Sequence, residues 1–156
     1  MKPQLLIGLG NPLMGDDGVG SVVAERLADD PRLPQTVEVT SAGTDLLRCA
    51  GQLEGRRSVI IVDAVEGDGE PGNVIPLEEQ DAGLDVCQEH VHLLSTVEAI
   101  RLLKMTSPAS FLLLGVTIST ATLDPCLSPA LADRLPAILS RVLEEMAHVG
   151  QTASGG

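Results

Sequence analysis

Residues 6–20 of the chain read LIGLGNPLMGDDGVG, an apolar run that passes into a glycine-rich turn and ends near two adjacent carboxylates, Asp16 and Asp17. A glycine-rich turn between a strand and a helix commonly binds phosphate, because free backbone N–H groups and the helix N-terminus favour an anion. Two carboxylates here would repel phosphate and would suit a cation. The dinucleotide-binding fingerprint is also incomplete, since Leu13 stands where its third glycine belongs. The turn therefore predicts a metal or cationic-ligand site.

The chain outside this turn alternates between strand-like and helical patterns. Strand-like runs are predicted at Leu5–Leu9, Val37–Thr40, Val59–Val62, Asn73–Leu77 and Phe111–Thr117. The run Val59–Val62 is continuously apolar, which is typical of a parallel strand covered on both faces. Four helical patterns are predicted: from Val19 to about Asp29, over Leu46–Leu53 with a stop at Gly55, over Leu93–Leu103, and from an N-cap at Ser128 with Pro129 in the first helical position.

This order predicts an α/β fold, a three-layer αβα sandwich with a mostly parallel twisted sheet of about five strands. We expect one domain over residues 1–150 and a disordered tail at residues 151–156, which are small and polar. The last helix should begin at Pro129 and carry apolar residues at Leu131, Leu135, Ile138, Leu139 and Val142.

Composition excludes several classes of function. The formal net charge of −12 opposes binding to nucleic acid or to anionic membranes, and Phe111 is the only aromatic residue, so base stacking is disfavoured. A basic surface on a partner protein would be compatible with this charge. No apolar run reaches the roughly 20 residues that a bilayer span needs, and the first strand starts too early to leave room for a signal peptide.

The three cysteines show no paired metal-binding spacing, and their number is odd: Cys49, Cys87 and Cys126. We expect reduced thiols that are mostly buried or incidental. A cytoplasmic protein is predicted, and a monomer is the default because no unexplained apolar stripe stands out.

The two neighbouring carboxylates have a structural alternative. One could cap the following helix while the other complements its dipole, and this interpretation is the stronger one for Asp16. For Asp17 a ligand-binding role is favoured, because glycines at 15, 18 and 20 leave the turn open. The glycines could have a purely structural role, in which they allow positive φ angles and close packing of the backbone.

Asp63 follows the buried run Val59–Val62, so it should lie at the carboxyl edge of the sheet, where open α/β folds bind ligands. His90 and His92 precede or open the third helical pattern and should lie near the same edge. Two carboxylates and one imidazole suit Zn²⁺, Ni²⁺ or a similar divalent ion, and leave coordination positions for water or substrate. A cap or surface role for Asp63, and a structural role for either histidine, remain the alternatives.

The chain resembles the maturation endopeptidases of [NiFe]-hydrogenases over about residues 4–145. The resemblance rests on the opening motif Gly8-x-Gly10-Asn11-x-Leu13-x-x-Asp16-Asp17-Gly18-x-Gly20, the Ile61-Val62-Asp63-Ala64 step and a histidine at the start of a leucine-rich helix. The family implies a cytoplasmic protease that removes a short C-terminal extension from the hydrogenase large-subunit precursor once nickel is installed. It also implies a twisted sheet between helices.

By position, the family's metal-contacting carboxylates correspond to Asp17 and Asp63. The histidine is His92 in the better register, with His90 as the alternative. These residues are the candidate catalytic and metal-contacting groups. The nickel belongs to the precursor, and another divalent metal could occupy the resting site. Many family members carry an acid just before the Gly-Thr pair that matches Gly43 and Thr44, whereas this chain does not. The hydrogenase subclass is therefore open.

Other classes of protein share parts of this pattern. Peptidyl-tRNA hydrolases also begin with a strand leading into Gly-Leu-Gly-Asn-Pro, but their continuation differs and the negative charge opposes tRNA. A non-enzymatic nickel-binding chaperone or adaptor on the same fold predicts binding of the precursor without cleavage. A cofactor-binding α/β module would bind nucleotide tightly.

Overall fold

The computed structural model describes residues 1–67, 69–77, 91–119 and 122–153; for residues 91–95 and 153 only the backbone is described. These ranges contain the strands β1 (Gln4–Leu9), β2 (Val37–Gly43), β3 (Ser58–Glu66), β4 (Val74–Leu77) and β5 (Ser110–Ile118). The α-helices are α1 (Val19–Ala28), α2 (Val91–Thr106) and α3 (Pro129–Ala153). Short 3₁₀ helices span Gly15–Gly18 and Leu46–Gln52.

The strands form one sheet in the order β2-β1-β3-β5-β4. All neighbours are parallel except β4, which runs antiparallel to β5. Gly8 of β1 pairs with Val62 of β3, and Asp63 pairs with Gly115 of β5. The carboxyl ends of the three central strands therefore lie side by side, and the predicted α/β sandwich is confirmed.

Alternate residues of the central strands enter two separate cores. Leu6, Ile60 and Leu114 are buried on the face covered by α1 and α3. Ile7 and Ile61 are buried on the opposite face, against the Leu46–Gln52 helix and α2. Because both faces are covered, the strands need apolar residues at every position. This explains the continuous apolar runs in the sequence.

The helix starts and ends differ from expectation in two places. The pattern at Leu46–Leu53 forms a 3₁₀ helix rather than an α-helix. Gly55, the predicted stop, follows this helix and has a positive φ of 76°. The predicted tail needs a correction as well, because α3 continues to Ala153, so residues 151–153 are helical. Residues 154–156 lie outside the described ranges. The predicted N-cap is confirmed: the Ser128 hydroxyl accepts a hydrogen bond from the Leu131 N–H at 3.3 Å.

Two of the cysteines can be placed. Cys49 lies within the Leu46–Gln52 helix with its side chain buried in the core, and burial raises the pKa of its thiol. Cys126 is exposed, and both are free thiols. Cys87 lies outside the described residues. No helix in the described ranges combines the length and apolar character that a bilayer-spanning segment requires.

Candidate active site at the carboxyl edge of the sheet

Two glycines allow the opening motif to fold tightly over the ends of β1 and β3. Gly10 has a φ of 143°, and a Cβ there would meet the carbonyl oxygen of Asp17. A Cβ on Gly20 would meet the carbonyl oxygens of Leu9, at the end of β1, and of Val62, inside the neighbouring β3. Helix α1 can therefore start directly above the sheet edge only because these positions lack side chains. The glycines serve close packing and a positive φ, the structural role considered above.

Asp17 lies in the 3₁₀ turn Gly15–Gly18, which contacts β3, and its side chain is partly buried. Its Oδ2 accepts a hydrogen bond from the backbone N–H of Asn11 at 3.2 Å. This bond ties the carboxylate to the loop that leaves β1. Its other oxygen, Oδ1, accepts no hydrogen bond from any residue in the described ranges. One oxygen is therefore available to a ligand.

Asp16 has a structural role, but not the one considered from sequence. Its Oδ1 accepts a hydrogen bond from the Ser128 N–H at 2.7 Å, and its Oδ2 accepts one from the Ser128 hydroxyl at 2.8 Å. Neither the turn nor α1 has a side-chain cap. Asp16 thus holds the start of the last helix, α3, and not the helix that follows it. The short bridge between Met14 and Asp124 joins the same two loops.

We expect Asp16→Ala to lower the free energy of unfolding by about 3 kcal/mol, because two short hydrogen bonds to a buried carboxylate are lost and the Ser128 N–H loses its acceptor. Urea unfolding followed by circular dichroism measures the change. Asp133→Ala is the matched control, since Asp133 is exposed on α3, and it should change stability by less than about 0.5 kcal/mol. Equal destabilisation by the two variants would contradict the anchoring role of Asp16.

Asp63 was predicted to follow a strand ending at Val62, but it lies inside β3, which continues to Glu66. Its side chain is only 7% exposed, and it comes one residue after Val62, the partner of Gly8 near the end of β1. Its Oδ1 accepts a hydrogen bond from the Ala64 N–H at 2.8 Å, and its Oδ2 accepts one from the Thr96 hydroxyl at 3.1 Å. Thr96 is itself 6% exposed and lies in α2. This threonine orients the carboxylate and was missed by sequence reasoning, because a lone Thr in a leucine-rich helix gives no signal of its partner.

Asp17, in the turn that follows β1, and Asp63, in β3, therefore lie on the carboxyl side of the sheet, where this turn contacts β3. His92 is in the first turns of α2, four residues before Thr96, but its side chain is outside the described part of the structure. His90 lies outside the described residues altogether. The choice between the two histidines remains a prediction.

No group of three His, Cys, Asp or Glu side chains that could hold a metal occurs among the side chains that are described. The described donors at the edge are the carboxylates of Asp17 and Asp63. A third ligand from the start of α2 would complete the predicted set. The donor chemistry, carboxylate oxygen with imidazole nitrogen, fits a borderline divalent ion such as Ni²⁺.

The sequence model of the hydrogenase maturation protease family matches residues 22–145. The hydrogenase 2 maturation protease of Escherichia coli (strain K12) is 27% identical over 153 residues, which cover 96% of this chain and 93% of that protein. A shorter match, to the hydrogenase expression/formation protein HupD of Rhodobacter capsulatus, is 34% identical over 82 residues, 51% of this chain and 39% of that protein.

Solved structures agree with these matches. The hydrogenase maturating endopeptidase HybD from E. coli superposes with a TM-score of 0.77 at 26% identity, covering 94% of this chain and 93% of that one. The [NiFe] hydrogenase maturation protease HybD from Thermococcus kodakarensis gives 0.74 at 26% identity, covering 92% and 98%. The chain belongs to the hydrogenase maturation protease family.

Proposed function

We propose that this protein is the endopeptidase that removes the C-terminal extension of a [NiFe]-hydrogenase large-subunit precursor after nickel insertion, and that it recognises the bound nickel. Family membership supports hydrolysis of a hydrogenase precursor. The observation that carries the nickel-dependent part is the placement of Asp17 and the buried Asp63 at one edge of the sheet. Carboxylate oxygens placed at one edge are donors suited to a divalent cation.

In this proposal Asp17, Asp63 and His92 engage the nickel held by the precursor, with His90 as the alternative imidazole. The Ala64 N–H and the Thr96 hydroxyl fix the Asp63 carboxylate before the substrate arrives. Such outer hydrogen bonds orient metal-contacting carboxylates. Asp17 keeps one oxygen without a described partner and so can approach the metal without breaking its bond to Asn11.

Docking of the nickel holds the scissile peptide bond beside the site, so much of the rate gain comes from positioning. Hydrolysis adds one water across that bond, giving a carboxylate on the mature subunit and an amine on the released extension. Nickel held between the precursor and Asp17, Asp63 and His92 would supply Lewis-acid polarisation of the scissile carbonyl or of a water, and the cleavage would then be metal-assisted. An aspartic-type mechanism, in which a carboxylate is the general base, is the alternative and predicts cleavage of precursor without metal.

The decisive experiment incubates the purified protein with nickel-loaded and with nickel-free precursor and follows the precursor's mass. We expect loss of the extension from the nickel-loaded form and none from the nickel-free form. Equal processing of both forms would contradict nickel recognition. Binding of the loaded precursor without any loss of mass would instead identify a nickel-binding adaptor.

Three further features belong to the proposal: a monomer, a cytoplasmic location and, in the resting site, the capacity to hold another divalent metal. Metal analysis of the purified protein and its mass in solution check two of these directly. Nucleic acid and membrane remain outside the expected partners, given the net charge of −12.

A further inference from the structure

A cleft of about 200 Å³ opens between the Leu46–Gln52 helix and α2. Its lining residues are Leu9, Thr44, Asp45, Leu46, Leu47, Thr96, Glu98, Ala99 and Leu102. This volume is smaller than the roughly 300–1,000 Å³ of sites for drug-sized ligands. The cleft therefore suits one long side chain rather than a folded segment of a partner.

The cleft adjoins the candidate active site through Thr96. This residue lines the cleft, and its hydroxyl donates to the Asp63 carboxylate at 3.1 Å. Leu9 also connects the cleft with the candidate active site. It lines the cleft and ends β1, just before the loop and turn that carry Asp17. A peptide whose scissile bond lay at the two carboxylates would therefore pass the mouth of this cleft.

The lining of the cleft combines apolar side chains with polar and acidic ones, and its charges are all negative. Leu47 and Leu102 are 43% and 54% exposed, so both present apolar surface that an occupant of the cleft could contact. Asp45 and Glu98 lie among the lining residues, whereas no Lys or Arg does. Asp45 accepts a hydrogen bond from the Leu47 N–H, and Glu98 is exposed and forms no ion pair within the described ranges.

We infer that this cleft binds a Lys or Arg side chain of the precursor, from the segment that flanks the scissile bond. The aliphatic stem would pack against Leu47 and Leu102, as long cationic side chains do on apolar surfaces. The cationic head would meet the carboxylates of Asp45 and Glu98 in charge-assisted hydrogen bonds. This inference rests on the proposed function, and it assigns a specificity-determining role that the cleavage chemistry itself does not require.

The first test measures KM and kcat for nickel-loaded precursor. We expect the double variant Asp45→Asn/Glu98→Gln to raise KM about tenfold with kcat within about twofold, and the effect to shrink at high salt. Asn remains a good N-cap, so the Leu46–Gln52 helix is kept. Asp133→Asn/Glu54→Gln is the matched control, since both acids are exposed and away from the cleft. An unchanged KM in the cleft variant would overturn the inference.

The second test needs no cleavage. A blocked pentapeptide with Arg between alanines is compared with the same peptide carrying citrulline, the neutral analogue of similar shape, by NMR titration. We expect the Arg peptide to bind the unmodified protein about tenfold more tightly, and this preference to vanish in the cleft variant. Equal binding of the two peptides overturns the cleft assignment. Failure of the unmodified protein to process loaded precursor overturns the proposed function instead, so the two failures are distinguishable.

Discussion

Asp63→Asn is expected to slow cleavage of nickel-loaded precursor by on the order of 10²-fold or more, since it removes a preorganised charge from the reacting site. The substitution keeps the size of the side chain, and an amide oxygen can still accept from Thr96 or from the Ala64 N–H. Loss of activity would therefore report loss of the negative charge rather than loss of shape. Asp17→Asn should have a comparable effect, because Asp17 supplies the second carboxylate at this edge.

Single-turnover cleavage followed by mass spectrometry measures both variants. Asp133→Asn is the control, as it removes one negative charge from an exposed position on α3. Unfolding curves should show that all three variants remain folded at the assay temperature. Full cleavage by Asp63→Asn or by Asp17→Asn would remove that carboxylate from the mechanism, whatever the behaviour of the other.

Gly20→Val is expected to prevent stable folding, with a loss of at least about 3 kcal/mol in the free energy of unfolding. Any Cβ at this position meets the carbonyl oxygens of Leu9 and Val62. Both atoms belong to the backbone of central strands, so they cannot move aside without disturbing the parallel pairing of β1 with β3. A domain of this kind has only about 5–15 kcal/mol of stability to lose.

Urea unfolding of Gly20→Val is best compared with Gly51→Ala. A Cβ on Gly51, in the Leu46–Gln52 helix, would have no heavy atom within 4 Å. This control should leave stability unchanged or raise it by up to about 1 kcal/mol, because Ala favours helical backbone. A Gly20→Val protein as stable as the control would mean that α1 can move away from the sheet edge.

Much of the fold could be predicted because the signals are local. The apolar run Val59–Val62 is a strand buried on both faces, and Ser128 with Pro129 starts the last helix. The predicted strand was too short at its carboxyl end, since β3 continues past Asp63 to Glu66, paired with β5 over the added residues. The order of strands does not follow from any local pattern, since it depends on which packing of the helices buries both faces.

The parts of the site that sequence could not supply depend on distant partners. Asp16 and Ser128 are 112 residues apart, and Asp63 and Thr96 are 33 apart, so no spacing rule connects either pair. Asp16 looks like an ordinary helix cap until the position of α3 is known. Neither the sequence nor the structure decides between the two histidines, because His90 and the side chain of His92 lie outside the described part of the structure.

The two hydrogen bonds between Asp16 and Ser128 have a consequence for the time at which the site forms during synthesis. The ribosome produces the opening motif first, yet the loop beside Asp17 is held in place by a residue near the start of the last helix. A nascent chain that ends before Ser128 lacks this clamp, even though both candidate carboxylates are already present. Competence to act on a precursor should therefore arrive late in synthesis, when the final helix docks.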